Sequence, residues 1–572
     1  MSVAGWLQIG LLVAVVTAVA PPIGGYMARV YRGERVAVSS VAGPIERGIY
    51  RLCRVDPHAE QTWIEYARAV LLLSLASWLA LYLVLRSQAA HPFNPEGFKA
   101  GPWDLSFNTA SSFVTNTSWQ FYGGETTLSQ FSQMAGIVVA SFTSGAVGMA
   151  VAVALIRGLA RRGRATIGSF WVDLVRSILY VLVPLSLLSG LLLASQGVVQ
   201  TFDAHAVTAA GQRIALGPVA GQESIKLLSG DGGGFFNVNS AMPFENPTAF
   251  TNFVEMVLML LVPAGLVFTF GRMAGQRRQA RVLFAVMLAL FVVGTAVVYG
   301  AESHGTPAAH AAGLHGANLE GKEQRFGPSG SAVFDATATA SGDGAVNSAL
   351  ESFTGLGAAV PTMNIMTGEV VFGGPGAGLY SMLLIILVAV FIAGLMVGRT
   401  PEYLGKKIEI RETKLAVLGT LALPLIVLLS ATVAVASRFG GPSIYASGPQ
   451  GFAETFYAYL SQANNNGSAY AGYTGFFQPT PGNAGSHGIT YADLAGGVAM
   501  LVGRYLPILI VLALAGALAR KRAHPAGLGT LRTDTPLFGV YLAGFIVIYA
   551  VLTFLPVLLL GPSVQGLTDR LF

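Results

Sequence analysis

The sequence predicts an all-α integral membrane protein: ten transmembrane helices, with four pseudo-repeated helix–re-entrant pore loop–helix units around a central filter. Three observations carry this. The 572 residues are 53% hydrophobic and only 11% charged, whereas a soluble domain carries about 25% charged residues. Ten apolar stretches reach the roughly twenty residues that a bilayer demands. Four loops rich in Gly, Asn and Asp recur at a near-constant interval: Thr117, Gly232, Gly344 and Gly467 mark them, 115, 112 and 123 residues apart. Seventy glycines fit close helix packing and irregular backbone buried at membrane depth.

The predicted spans are 5–28, 63–87, 130–157, 169–195, 248–271, 281–300, 375–398, 413–437, 491–518 and 534–560. No basic segment precedes the first, so it reads as a retained helix rather than a signal peptide. The third is the weakest, because residues 144–148 (Ser-Gly-Ala-Val-Gly) are small rather than oily. Of the 34 Lys and Arg residues, 23 follow odd-numbered spans, among them Arg29, Arg161, Arg278, Lys406 and Lys521. Positive loops stay in the cytoplasm, which puts both termini outside.

The gaps after even-numbered spans are long, poor in Lys and Arg, and rich in Gly, Asn, Ser and Thr. Each holds one of the four loops, so all four fall on the outer face. The chain then divides into residues 1–62 (first helix and basic loop), four repeats at 63–168, 169–280, 281–412 and 413–533, and a last helix within 534–572. Short, partly apolar segments precede the loops at 103–113, 221–228 and 451–462. As half-helices dipping into the membrane, they would aim the negative ends of their dipoles at the loops and favour a cation. Residues 332–340 are a poorer helix candidate.

A dehydrated alkali cation needs oxygen ligands, and extended backbone carbonyls can replace its water. Glycine permits the conformations and the close approach; Asn and Thr add oxygens or brace the loop. The candidate ligands are Thr115, Asn116 and Thr117; Gly230, Asp231 and Gly232; Gly342, Asp343 and Gly344; Asn465, Asn466 and Gly467. The spacing of four such loops argues against ordinary surface turns. Asp231 and Asp343 either attract cations at a pore mouth or cap their own turns. Glu245 reads as the cap of the fifth span rather than a funnel charge. Residues 355–378, with Pro361, Glu369 and a Gly-Gly-Pro-Gly run, are either a broken helix beside an ion path or a plain loop. Arg504 lies inside the ninth span, where a charge marks function or a buried partner.

The single Cys53 excludes an internal disulfide and a cysteine metal site. The net charge of +6 does not point to nucleic acid, because the basic residues sit in short loops between spans. There is no Walker phosphate loop, no Asp-Lys-Thr-Gly phosphorylation motif and no soluble domain large enough for ATP, so no nucleotide is expected on this chain.

Residues 115–120 (Thr-Asn-Thr-Ser-Trp-Gln), 232–237 (Gly-Gly-Gly-Phe-Phe-Asn), 243–248 (Pro-Phe-Glu-Asn-Pro-Thr), 368–374 (Gly-Glu-Val-Val-Phe-Gly-Gly), 398–407 (Gly-Arg-Thr-Pro-Glu-Tyr-Leu-Gly-Lys-Lys) and 463–469 (Ala-Asn-Asn-Asn-Gly-Ser-Ala) closely resemble the KdpA family. That family supplies the potassium-binding and translocating subunit of a bacterial potassium-importing ATPase. The resemblance implies potassium as the transported ion and a place in the bacterial inner membrane. It implies a P-type ATPase catalytic subunit as partner, with a single-span accessory subunit, a small single-helix subunit and membrane lipid. It places Gln120, Asn239, Glu369, Arg399 and Arg504 near the filter or the ion path. Two departures stand out. The family's second loop more often reads Thr-Asn-Gly-Gly-Gly, where this chain has Gly230-Asp231 before the glycines; Asp343 replaces a usual Ser, Thr or Cys. The competing readings are a passive potassium channel or ion-coupled symporter of the same design, and a scaffold with no ion path.

Overall fold

A computed structural model describes residues 1–396, 398–475, 490–525 and 530–560. In chain order its organising helices are α1 (Val3–Arg32), α2 (Trp63–Arg86), α3 (Trp103–Val114), α4 (Ser132–Ala160), α5 (Phe170–Ser195), α6 (Val219–Leu228), α7 (Ala249–Met273), α8 (Arg277–Glu302), α9 (Gly327–Ser341), α10 (Gly355–Met366), α11 (Ala377–Met396), α12 (Ile410–Ala436), α13 (Gly448–Asn464), α14 (Thr490–Arg520) and α15 (Pro536–Leu560). Among the described residues, ten of them are long and apolar enough to cross a membrane: α1, α2, α4, α5, α7, α8, α11, α12, α14 and α15. Among the described residues, strands pair into three two-stranded ribbons. Parts of the predicted fourth gap (476–489) and last segment (561–572) lie outside the described residues.

Four times the chain runs long helix, short helix, loop, long helix. In each unit the returning helix is the more buried one. The apolar window of α4 is 78% buried against 28% for α2, α7 is 72% against 39% for α5, α11 is 61% against 44% for α8, and α14 is 61% against 33% for α12. Four helices thus line an interior while the leading ones face outward. This explains the weak third span: residues 144–159 of α4 are buried almost throughout, and small residues there let neighbouring backbones approach. A Cβ on Gly148 would lie 2.4 Å from Pro375 O, and one on Gly158 2.6 Å from Ala515 O.

Residues 332–340, unpromising as a helix, lie within the fifteen-residue α9. Packing overrides propensity here: residues 330–341 are buried, and Thr337 and Thr339 return their hydroxyls to the carbonyls of Val333 and Asp335. Glu245 does not cap α7. Thr248 does, in a reciprocal capping box with Thr251, and Glu245 turns inward. Residues 355–378 form a broken helix, α10 then α11. The break carries positive φ at Gly368, Glu369, Phe372, Gly373 and Gly376, and it is buried.

At the arginine-rich end, Lys406 is a buried clamp as well as a loop charge. Its Nζ donates to Gly158 O (2.7 Å), Arg161 O (2.5 Å) and Leu518 O (2.7 Å). These carbonyls lie at the C-terminal ends of α4 and α14, where a cation also meets the negative ends of both helix dipoles; Leu518 O in addition accepts from Lys521 N (3.2 Å). Lys406→Met takes the ammonium away from all three; we expect roughly 2–4 kcal/mol of lost stability, read as a lower thermal midpoint of the purified protein in detergent.

Candidate functional site

Each short helix ends in the same way. Asn116, Gly230, Gly342 and Asn465 adopt left-handed backbone, with φ of 61°, 62°, 68° and 63°. The next N–H then reaches back to a carbonyl five residues earlier: Thr117 to Ser112 (2.9 Å), Asp231 to Lys226 (3.1 Å), Asp343 to Ala338 (3.0 Å) and Asn466 to Ser461 (2.9 Å). This is the backbone device that stops a helix and turns the chain sharply away. Gly and Asn are the residues that enter this region at low cost. Four loops therefore leave four helix C-termini in one geometry.

The loops close into a ring. Loop one meets loop two through Asn116 Nδ2, which donates to Ser229 O (3.1 Å) and Gly230 O (2.7 Å), and through Ser118 Oγ, which donates to Asp231 O. Loop two meets loop three where Gly344 N donates to Asp231 O (3.1 Å); a Cβ on Gly232 would stand 2.1 Å from Gly344 N. Loop three meets loop four at Gly344, where a Cβ would stand 2.8 Å from Asn466 O. Loop four returns to loop one: a Cβ on Gly467 would stand 1.8 Å from Thr117 O, and Asn465 Nδ2 donates to Thr117 Oγ1 (2.8 Å). The carbonyl oxygens of Thr117, Asp231 and Asn466 thus lie at the contacts between neighbours. A cavity of about 800 Å³ opens over the ring, lined by Ser118, Gln120, Asn237, Asn239, Gly344 and Gly467 among others.

The predicted ligand residues are drawn together here, Thr115 through its hydroxyl, which lies 2.7 Å from Thr117 Oγ1. The Thr115 hydroxyl also turns back to Ser111 O (2.7 Å) as the C-cap of α3. Asp231 and Asp343 are fully buried. Asp343 Oδ1 accepts from Ala345 N (2.9 Å), capping its own turn, and Asp231 Oδ2 accepts from Ser141 Oγ on α4. The other oxygen of each, Asp231 Oδ1 and Asp343 Oδ2, has no hydrogen-bond partner among the described residues.

Gln120 donates to Gly234 O (3.2 Å) and Asn239 to Gly232 O (2.9 Å), so both brace loop two. Glu369 sits in the break between α10 and α11, against loop three: its Oε2 is 2.6 Å from where a Cβ on Gly342 would be. Arg504, buried on α14, donates to Ser144 O (3.3 Å) on α4. Ser144 in turn donates to Asn116 Oδ1 (2.8 Å), which links the arginine to loop one. Arg399 is not brought in. It is exposed beyond the far end of α11, a helix of twenty residues that spans about 30 Å at 1.5 Å per residue.

Ser118 was not among the predicted ligands. By backbone it is the first loop's counterpart of Gly232 and Gly467: these three have φ of 58°, 94° and 100°. The glycine-based register paired Thr117 with Gly232 and was one residue off in the first copy, because that copy has no glycine at the corner.

The family model described as potassium-transporting ATPase A subunit, KdpA, matches residues 10–567. A potassium-transporting ATPase potassium-binding subunit of Methylobacterium nodulans is 52% identical over 99% of this chain and 98% of its own length. Proteins of the same description from Granulibacter bethesdensis and Sorangium cellulosum are 50% and 51% identical, each over 99% of both chains. Among solved structures, the potassium transporter TrkH of Vibrio parahaemolyticus superposes with a TM-score of 0.52 at 15% identity, covering 90% of this chain and 97% of that one. At that identity the likeness speaks for the fold alone. A family match along nearly the whole chain, with half the residues shared with full-length relatives, decides the matter: the chain belongs to the KdpA family of potassium-transporting ATPase A subunits.

Proposed function

We propose that this chain captures potassium at the outer face of the bacterial plasma membrane, in a filter built from its four loops, and hands it inward as part of an ATP-driven uptake complex. ATP is hydrolysed on a P-type ATPase partner subunit; a single-span accessory subunit and a small single-helix subunit complete the assembly. Both termini lie outside. The observation that carries this reading is the ring itself. Four helix C-termini, each ended by the same left-handed turn, deliver four loops to one place between the four inner helices, with carbonyls at the seams. Carbonyl oxygens and the negative ends of helix dipoles suit a monovalent cation stripped of water. The test is potassium-stimulated ATP hydrolysis by the purified complex, with rubidium and sodium as competitors. Loop variants should change the cation preference while assembly persists; an unchanged preference across all four loops removes the filter.

Asp231 and Asp343 then add negative charge beside the ion. Neutralising either as Asp231→Asn or Asp343→Asn should raise the half-maximal potassium concentration roughly three- to tenfold, since each tenfold is about 1.4 kcal/mol of binding. Potassium should remain preferred over sodium, because the backbone geometry is untouched. Apparent affinity equal to that of the unaltered complex would show that the carboxylates serve the loops only as braces.

A further inference from the structure

The carbonyl that stops each short helix belongs to Ser112, Lys226, Ala338 or Ser461. Three of these four equivalent positions hold a small residue; the second holds a lysine. Lys226 is 1% exposed, and its ammonium sits in a shell of oxygens: Glu223 Oε1 and Oε2 at 3.0 Å each, Ser240 Oγ at 3.0 Å and Glu245 Oε2 at 3.1 Å. All three partners are themselves buried.

Both flanks of loop two are tied to this one residue, the first through its main chain and the second through its ammonium. The Lys226 carbonyl takes the N–H groups of Asp231 (3.1 Å) and Gly232 (3.2 Å). Glu245, anchored by the ammonium, takes the N–H of Phe236 through its other oxygen (2.8 Å). Ser240, also anchored, donates its N–H to Asn239 Oδ1 (2.9 Å), and Asn239 Nδ2 holds the Gly232 carbonyl (2.9 Å). In loop four Ser461 Oγ accepts from Gly467 N (2.9 Å), and in loop three Asp335 accepts from Asn347 N (3.1 Å) and from Ser348 Oγ. Buried charge-assisted networks of this kind fix geometry more tightly than neutral ones.

We propose that Lys226, clamped by Glu223, Ser240 and Glu245, is a positioning residue that fixes the second loop and thereby sets how sharply the ring discriminates among monovalent cations. This rests on the ring acting as the filter. In the purified complex, Lys226→Met should raise the half-maximal potassium concentration for ATP hydrolysis about tenfold and narrow the preference over rubidium and sodium by a similar factor, the scale of a lost charged hydrogen bond. Adding Glu223→Gln and Glu245→Gln to Lys226→Met removes the charges of the two carboxylates that touch the ammonium. This triple variant should assemble at the normal yield and still discriminate poorly, which separates positioning from folding. If Lys226→Met fails to assemble, Ser240→Ala removes only one partner and should give a shift of about threefold in the same direction. A triple variant or a Ser240→Ala variant with normal discrimination overturns the inference. Gly232→Ala distinguishes the two levels. If it shifts the preference while the Lys226 variants do not, the ring stands and the clamp falls; if it is silent as well, both fall.

Discussion

Gly467→Ala should raise the half-maximal potassium concentration at least a hundredfold, or abolish stimulation, in a complex that still assembles. The reason is local and has two parts. Gly467 has φ of 100°, outside the ordinary left-handed well, where a side chain costs on the order of 1–3 kcal/mol. Its Cβ would also stand 1.8 Å from Thr117 O and 3.0 Å from Thr117 C. The obstacle is backbone of the neighbouring loop, so no side chain can swing away. Either loop four retreats or loop one is pushed off, and both carry oxygens of the ring. Gly275 provides the control. It too is left-handed, with φ of 70°, but nothing lies within 4 Å of its Cβ. Gly275→Ala should cost about 1 kcal/mol of stability and leave potassium dependence unchanged. A Gly467→Ala complex with potassium dependence within twofold of normal would mean that loops one and four do not meet around the ion.

How much of this was legible depends on what kind of signal each residue leaves. The ten spans and the loops at Gly232, Gly344 and Gly467 were visible because length, apolarity and glycine are local properties of the chain. Ser118 was hidden because the first copy makes its corner with serine, and only the backbone angles set the register. Lys226 was hidden for a related reason. Its oddity is a comparison with Ser112, Ala338 and Ser461, and that comparison needs the helix ends to be aligned in space. Glu245 sits close to Thr248 in sequence, so the chain alone could not say which of them caps α7. Lys406 looked like any other basic loop residue, since nothing in the sequence says that it turns into the carbonyls of Gly158, Arg161 and Leu518. The same limit applied to Arg399, whose long motif does not reveal that a whole helix separates it from the ring. Local chemistry was readable; partners distant in sequence were not.

The second large effect lies at the opposite end of the molecule. Asp173 on α5 is fully buried and receives Arg157 of α4 through both guanidinium nitrogens, at 2.5 and 2.7 Å. Tyr66 of α2 donates to the same carboxylate at 3.0 Å, and Arg157 also reaches Tyr31 O of α1 at 3.4 Å. One pair thus joins four helices. Such a pair adds little over a well-packed apolar substitute, but breaking it from one side leaves an uncompensated buried charge, at about 3–5 kcal/mol. Asp173→Ala should therefore lower the thermal midpoint and the yield of the complex sharply. The potassium concentration for half-maximal ATP hydrolysis in the surviving fraction should not change, because the ring is built from other residues. Asp173→Leu combined with Arg157→Met should recover most of the stability, since neither charge is then stranded. If the double variant is as unstable as the single one, the interaction is not an isolated charge pair, and the four helices depend on Arg157 for its contact with Tyr31 instead.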